Sequence, residues 1–163
     1  MTRPGEAKLN HLFQPGRIGK FEVKNRIKYG ACCVSNYNGR DGTITPRELA
    51  RVRVIAGTGC GLITNQGAYP DPLGEGKSYF RQVAIHDDKF LPQFEMIARY
   101  IHDAGAMAMQ QILHAGRYGG IDLGYCVQPS VVPQTLPHFR PPRELTKEQI
   151  KAVVQQHADA AKR

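Results

Sequence analysis

Three short apolar runs, each followed by a stretch of helical periodicity, constrain this chain more than any other feature. The runs are residues 27–34 (IKYGACCV), 60–64 (CGLIT) and 106–113 (AMAMQQIL). Each is short, rich in strand-forming residues and bounded by glycine or polar turns, as buried strands are. The intervening segments read as helices. Thr45-Pro46-Arg47-Glu48 predicts a helix start, with Thr45 as N-cap, Pro46 in the first turn and Glu48 closing a capping box. A second helix is expected from Asp87-Asp88, with Phe90, Leu91, Phe94, Ile97, Ala98 and Ile101 at helical spacing, ending at Gly105. Thr146 and Gln149 predict another capping box, and Ile150, Val153, Val154, Ala158 and Ala161 the apolar stripe of a third helix.

Ahead of the series, residues 17–27 (RIGKFEVKNRI) alternate about a Gly19-Lys20 turn and read as a hairpin. Residues 1–17 are expected to be irregular, punctuated by Gly5, Pro15 and Gly16, and the five-proline stretch from Pro129 to Pro142 to be a loop. A hairpin followed by strand–helix repeats implies a parallel sheet with helical crossovers. Two architectures satisfy it, a doubly wound sheet or part of a (β/α)8 barrel. No G-x-G-x-x-G follows a strand, so the dinucleotide fingerprint is missing. A barrel typically needs about 250 residues, and the chain has 163. Three strands cannot close a barrel, and an open edge would expose apolar surface.

The third apolar run ends unusually, in Gln110-Gln111-Ile112-Leu113-His114-Ala115-Gly116-Arg117. A strand buried on both faces reads as continuous apolar residues. Gln111 interrupts that pattern, and a buried amide needs partners. Spacing by itself favours a structural role, with Gln111 capping a loop and His114 satisfied internally. The alternative is a ligand with hydrogen-bonding edges. His114 stands at a strand end; His11, His86, His102, His138 and His157 fall in loops or on helices, and most of them read as solvated. Cys33 closes the first run, where ligands lie in α/β folds. A thiol there suits a redox cofactor or a nucleophile, while composition favours a small buried hydrophobe.

Composition narrows the function classes. The net charge is +8, and residues 1–53 carry 11 of the 22 Lys+Arg against Glu6, Glu22, Asp41 and Glu48. These basic residues are dispersed among apolar ones, so nucleic-acid binding is not expected. No apolar run is long enough to span a bilayer, and the first residues lack an apolar signal core, so a cytoplasmic protein away from membranes is expected. Cys32, Cys33, Cys60 and Cys126 have no zinc-ligand spacing and read as free thiols. No nucleophile elbow, P-loop or H-E-x-x-H is present.

The segments LFQPGRIGKFEVKNRI, GLITNQGAYPDP, QQILHAGRYG and PRELTKEQI, in this order, resemble the N-terminal part of the Old Yellow Enzyme family. The likeness runs from Leu12 to Arg163 and is nearest to the branch of 2,4-dienoyl-CoA reductase and the trimethylamine and histamine dehydrogenases. It implies the N-terminal portion of a (β/α)8 barrel, a hairpin plus about three βα units. Residues 1–163 would form a partial FMN-binding domain, with the hairpin plugging the barrel bottom. It further implies that Gly30, Ala31, Cys32 and Cys33 lie along a flavin ring, that Gln66 approaches it where the family usually has Gly or Ala, and that Gln111 hydrogen-bonds its pyrimidine edge. Cys33 falls where the family has either a flavin-linked cysteine or a free thiol that tunes the flavin; its neighbours favour the free thiol.

The activity implied is hydride transfer from NAD(P)H through FMN to an activated alkene such as an enoyl thioester, or amine oxidation. The family's substrate-binding histidines, proton-donor tyrosine and phosphate-binding loops come from later strands. Its larger branch adds a four-cysteine 4Fe-4S motif that these cysteines do not supply. The chain is therefore expected to be truncated, weak or inactive alone, and to act on a small molecule only as part of a longer or oligomeric form. The alternative expectation is a non-catalytic partial barrel that pairs its open strand with a complementing chain.

Overall fold

The computed structural model describes residues 9–133 and 140–163; Gly5, Pro137 and His138 fall outside them. A short helix α1 (Asn10–Phe13) precedes the antiparallel hairpin β1 (Gly16–Ile18) and β2 (Phe21–Val23). Then come β3 (Lys28–Tyr29), α2 (Pro46–Ala56), β4 (Leu62–Ala68), α3 (Leu91–Asp103) and β5 (Met107–Ile112). The chain continues through β6 (Cys126–Gln128), β7 (Pro142–Glu144) and α4 (Lys147–Lys162). Strands β3, β4 and β5 form one parallel sheet in that order, with Tyr29 opposite Ile63 and Ile63 opposite Ala108. This is the expected hairpin and three strand–helix units.

The helices cover one face of the sheet. Val52, Ile55 and Ala56 of α2 and Ile97 and Ile101 of α3 close over Ile63 and Ala106, with Tyr29, Leu49 and Ala108 packed at the margin. Ile97 and Ile101 are 3% and 1% exposed, and each contributes roughly 1.5–3 kcal/mol by leaving water. Side chains alternate across a strand. With Ile63 and Ala108 on the helix side, Leu62, Met107, Met109 and Gln111 point to the other face.

That other face is open. The hairpin covers only its N-terminal end, where Lys24 Nζ donates to the Ala104 carbonyl (2.7 Å) and Asn25 Nδ2 to that of Gly59 (2.8 Å). Gly61 permits this docking, since a Cβ there would sit 2.4 Å from the Asn25 carbonyl oxygen. Between hairpin and sheet lies a groove of about 880 Å³ lined by Ile18, Phe21, Met107 and Met109 among others. Met109 stays 41% and Phe21 53% exposed.

Several expectations change. The first strand shrinks from residues 27–34 to Lys28–Tyr29, after which the chain leaves the sheet. The second lengthens to Ala68, so Asn65, Gln66 and Gly67 belong to a strand rather than a loop. The Thr45/Glu48 capping box does not form. Thr45 Oγ1 donates to the Tyr37 carbonyl, and Glu48 is fully buried against Arg51, whose Nε reaches it at 2.9 Å. The Thr146/Gln149 box forms in both directions, at 3.2 and 2.8 Å. On α4 the anticipated stripe is turned: Ala160 is buried while Ile150 and Val154 stay 36% and 65% exposed. The proline-rich stretch is flanked by β6 and β7, which pair in parallel. No helix among the described residues is long and apolar enough to cross a membrane.

Candidate functional site

The C-terminal ends of β3, β4 and β5 converge on a polar surface. On β5 the two amides divide the labour. Gln110 is fully engaged: its Oε1 accepts from Asn65 Nδ2 (2.9 Å), and its Nε2 donates to the carbonyls of Gln66 (2.8 Å) and Gln111 (2.7 Å). Gln111 lies on the open face, exposed, with its side-chain amide hydrogen-bonded to nothing among the described residues.

Gln66 does not join it. The register between β4 and β5 slips between Asn65 and Ala68, so that three steps along one strand meet two along the other. Such a bulge re-aims the side chains around it. Gly67, not Gln66, therefore stands beside Gln111: a Cβ on Gly67 would fall 3.1 Å from Gln111 Oε1 and 2.6 Å from Leu113 Cβ. Gln66 is fully buried, and its Oε1 accepts from the Tyr79 hydroxyl (2.8 Å). Its Nε2 is buried without a hydrogen-bond partner. Burial, and then the Cys33 thiol alongside, push the Tyr79 hydroxyl well above its ordinary range. Tyr79 thus links the bulge to the segment that follows β3.

In that segment Gly30 opens onto free space, with nothing within 4 Å of where its Cβ would be. Ala31 is half-buried. Cys32 and Cys33 are exposed free thiols. Cys32 engages Tyr29, raising that phenol chiefly through their hydrogen bond and then through burial. Each cysteine therefore faces a tyrosine, with Arg51 of α2 near both phenols.

His114 is a structural residue. Its Nδ1 accepts from the Gly116 N–H at 3.1 Å, and its Nε2 is buried without a partner. Burial holds its imidazole below the ordinary histidine pKa, against the pull of Asp71. Its ring lies 6.1 Å from that of His157 on α4, so it ties the turn after β5 to that helix. Arg117 donates to the Tyr118 hydroxyl at 3.0 Å. Of the other histidines, His86 is half-buried between Tyr69 and Phe90 rather than solvated, and burial lowers its pKa. No group of three or more His, Cys, Asp or Glu among the described residues is placed to hold a metal.

The open surface thus consists of a free amide, a bare glycine and two thiols, with the bulge glycine Gly67 buried under Leu113 beside the amide. Gly67 and Tyr79 were not singled out by sequence reasoning. The signal available for Gly67 was the polar N-Q-G run within an otherwise apolar segment, which marks a bulge; Tyr79 carried none.

The family model for the NADH:flavin oxidoreductase / NADH oxidase family matches residues 11–163. An NADH oxidase of Thermoanaerobacter brockii is 35% identical over 156 residues, covering 94% of this chain and 24% of that protein. The solved structure of a 2-naphthoyl-CoA reductase in complex with 2-naphthoyl-CoA superimposes with a TM-score of 0.86 at 32% identity, over 93% of this chain and 25% of that one. An old yellow enzyme homologue from Zymomonas mobilis does so with a TM-score of 0.73 at 26% identity, over 92% and 44%. The chain spans about a quarter of the length of the curated relatives it matches. On this match the chain belongs to the NADH:flavin oxidoreductase / NADH oxidase family.

Proposed function

We propose that residues 1–163 supply the opening strands of an FMN-binding barrel, and that the open ends of β3, β4 and β5 form part of its flavin floor. The observation that carries this is the Gln111 amide, exposed at the C-terminal end of β5 and hydrogen-bonded to nothing among the described residues. A planar heteroaromatic ring needs a surface free of side chains and a hydrogen-bonding group at its edge. Gly30 leaves such a surface clear, and the exposed Gln111 amide offers a donor and an acceptor at the same C-terminal strand ends. These residues fit a flavin.

Bound FMN would supply hydride transfer from NAD(P)H to an activated alkene such as an enoyl thioester, or the oxidation of an amine. The protein's part is positioning and tuning. Gln111 would fix the ring's polar edge and stabilise charge there. Gly30, Ala31, Cys32 and Cys33 would border the ring, with Gln66 buried against Tyr79 close to that border. Cys33 would act as a free thiol, held by Tyr79. A 4Fe-4S cluster would belong only to a longer form. Free thiols and ordinary composition suit the cytoplasm, and the partner is a small-molecule substrate.

Residues for gripping the phosphate and donating the proton are not among those placed here. The 163-residue chain alone is therefore expected to turn over weakly or not at all, and the open face suits an oligomer or a complementing chain. The visible spectrum and NAD(P)H oxidation of the purified chain test this: stoichiometric yellow FMN with robust turnover would overturn it. Intact mass after denaturation tests the free thiol, since a retained FMN mass would place a covalent bond on the chain.

A further inference from the structure

Away from the flavin surface, a second pocket of about 380 Å³ is lined by Asn36, Arg40, Lys77, Phe80, Arg81 and Asp122. It lies between the loops that follow β3 and β4, on the side of the sheet where α/β folds place ligands. The two loops are stitched together by the Asn36 N–H donating to the Phe80 carbonyl at 3.1 Å. Lys77 is 4% exposed, and its ammonium is satisfied by the Arg40 carbonyl (3.2 Å) and the Asp122 carboxylate (2.6 Å). Asp122 thus neutralises Lys77 and leaves Arg40 and Arg81 in excess. Both guanidiniums are on exposed residues, and neither has an ion pair among the described residues. Phe80 is 54% exposed beside them, an aromatic face without an internal role.

The backbone adds an independent observation. Asn36 (φ 64°) and Arg81 (φ 57°) are the non-glycine residues in the left-handed region among those described, and both line this pocket. Asparagine visits that region readily; arginine is strained there. Strain of this kind collects at ligand clamps, where the surrounding structure holds it. The turn fixes the backbone from which Arg81 projects, next to the exposed ring of Phe80.

We infer that this pocket is a nucleoside-phosphate subsite, with Arg40 and Arg81 gripping phosphate and Phe80 stacking the base. Guanidiniums bind phosphate oxygens through paired N–H donors, and an exposed aromatic ring stacks any base. The subsite stands on its own residues. That its ligand is the charged tail of a molecule reacting at the flavin surface, either the nicotinamide reductant or a nucleotide-bearing thioester, rests on the function proposed above.

Calorimetric titration of the 163-residue chain with sodium pyrophosphate, then with adenosine 2′,5′- and 3′,5′-bisphosphate, tests the inference without any flavin. Saturable binding that weakens with salt is expected, with both adenosine ligands ahead of pyrophosphate and that advantage lost in Phe80→Ala. The Arg40→Gln/Arg81→Gln double variant should bind about tenfold more weakly or worse, whereas Arg99→Gln on α3 should bind as the native chain does. Arg81→Gly should melt at a higher temperature, as the strain of the turn is relieved, and bind more weakly, as a guanidinium is lost. A preference for the 2′,5′ isomer would point to the reductant's phosphate, and for the 3′,5′ isomer to a thioester's tail. Absence of pyrophosphate binding at low salt, or a double variant that binds as tightly as the native chain, would overturn the subsite. Neither result would bear on FMN binding, which is read separately.

Discussion

The two faces of the three-stranded sheet differ in almost every physical respect. On the helix side, Ile63, Ile97, Ile101 and Ala106 are packed out of contact with water. On the other side Met109 is 41% exposed and Gln111 lies bare beside Gly67. The same strands build both, so the contrast arises from what covers them. The helix side is complete as it stands, because the crossovers that join the strands also cover it. The open side is closed only at its N-terminal end, by the hairpin. Stability is therefore concentrated on one face and ligand chemistry on the other.

Substitutions should respect this division. Ile101→Ala, on the covered face, is expected to lower the unfolding free energy by about 2–5 kcal/mol through loss of burial and the cavity left behind. Denaturant unfolding with an unchanged m-value would confirm it. Gly67→Ala probes the junction of the faces. Its Cβ would meet the Leu113 side chain at 2.6–2.7 Å, and overpacking of this kind costs about 1–3 kcal/mol. If Gly67→Ala were as stable as the native protein, the close approach between β4 and β5 would not be real.

Acid should act through His114. Its folded pKa is held below the ordinary 6.5 by burial. Above that value both folded and unfolded states are neutral there. As pH falls through it, the unfolded chain takes up the proton first, and native stability declines. Melting temperature should therefore fall between about pH 7 and pH 5, and fall less in His114→Gln. Equal slopes in the two proteins would remove His114 from the account. The smallest effect belongs to the open face: Met109→Ala should change stability by no more than about 0.5 kcal/mol, and a loss comparable to that of Ile101→Ala would abolish the contrast between the faces.

How far the sequence could be read follows the same line. Strand–helix alternation gave the order of elements, because it depends on local periodicity and caps. The Thr146/Gln149 box formed as its residues suggest. The Thr45 box failed because the Tyr37 carbonyl takes the Thr45 hydroxyl and Arg51, one turn further along α2, draws Glu48 away. The α4 stripe faced outward because covering α4 depends on neighbours, not on its own period. At the site, Gln111 was legible as a polar break in an apolar run. The burial of Gln66 against Tyr79 was not legible, because a bulge shifts register without changing composition, and one residue suffices to reverse a strand's facing. Tyr79 and the Arg40/Arg81 pocket lie in loops, where residues far apart in sequence meet without a periodic signal.

If Gln111 holds the polar edge of a flavin, titration of FMN with the 163-residue chain and with Gln111→Leu, followed by flavin fluorescence, will report it. Gln111 is exposed on the open face, so the variant should retain the native circular dichroism and melting temperature. The native chain should quench FMN, and Gln111→Leu should bind about tenfold more weakly. FMN fluorescence untouched by the native chain, or bound equally well by Gln111→Leu, would contradict it.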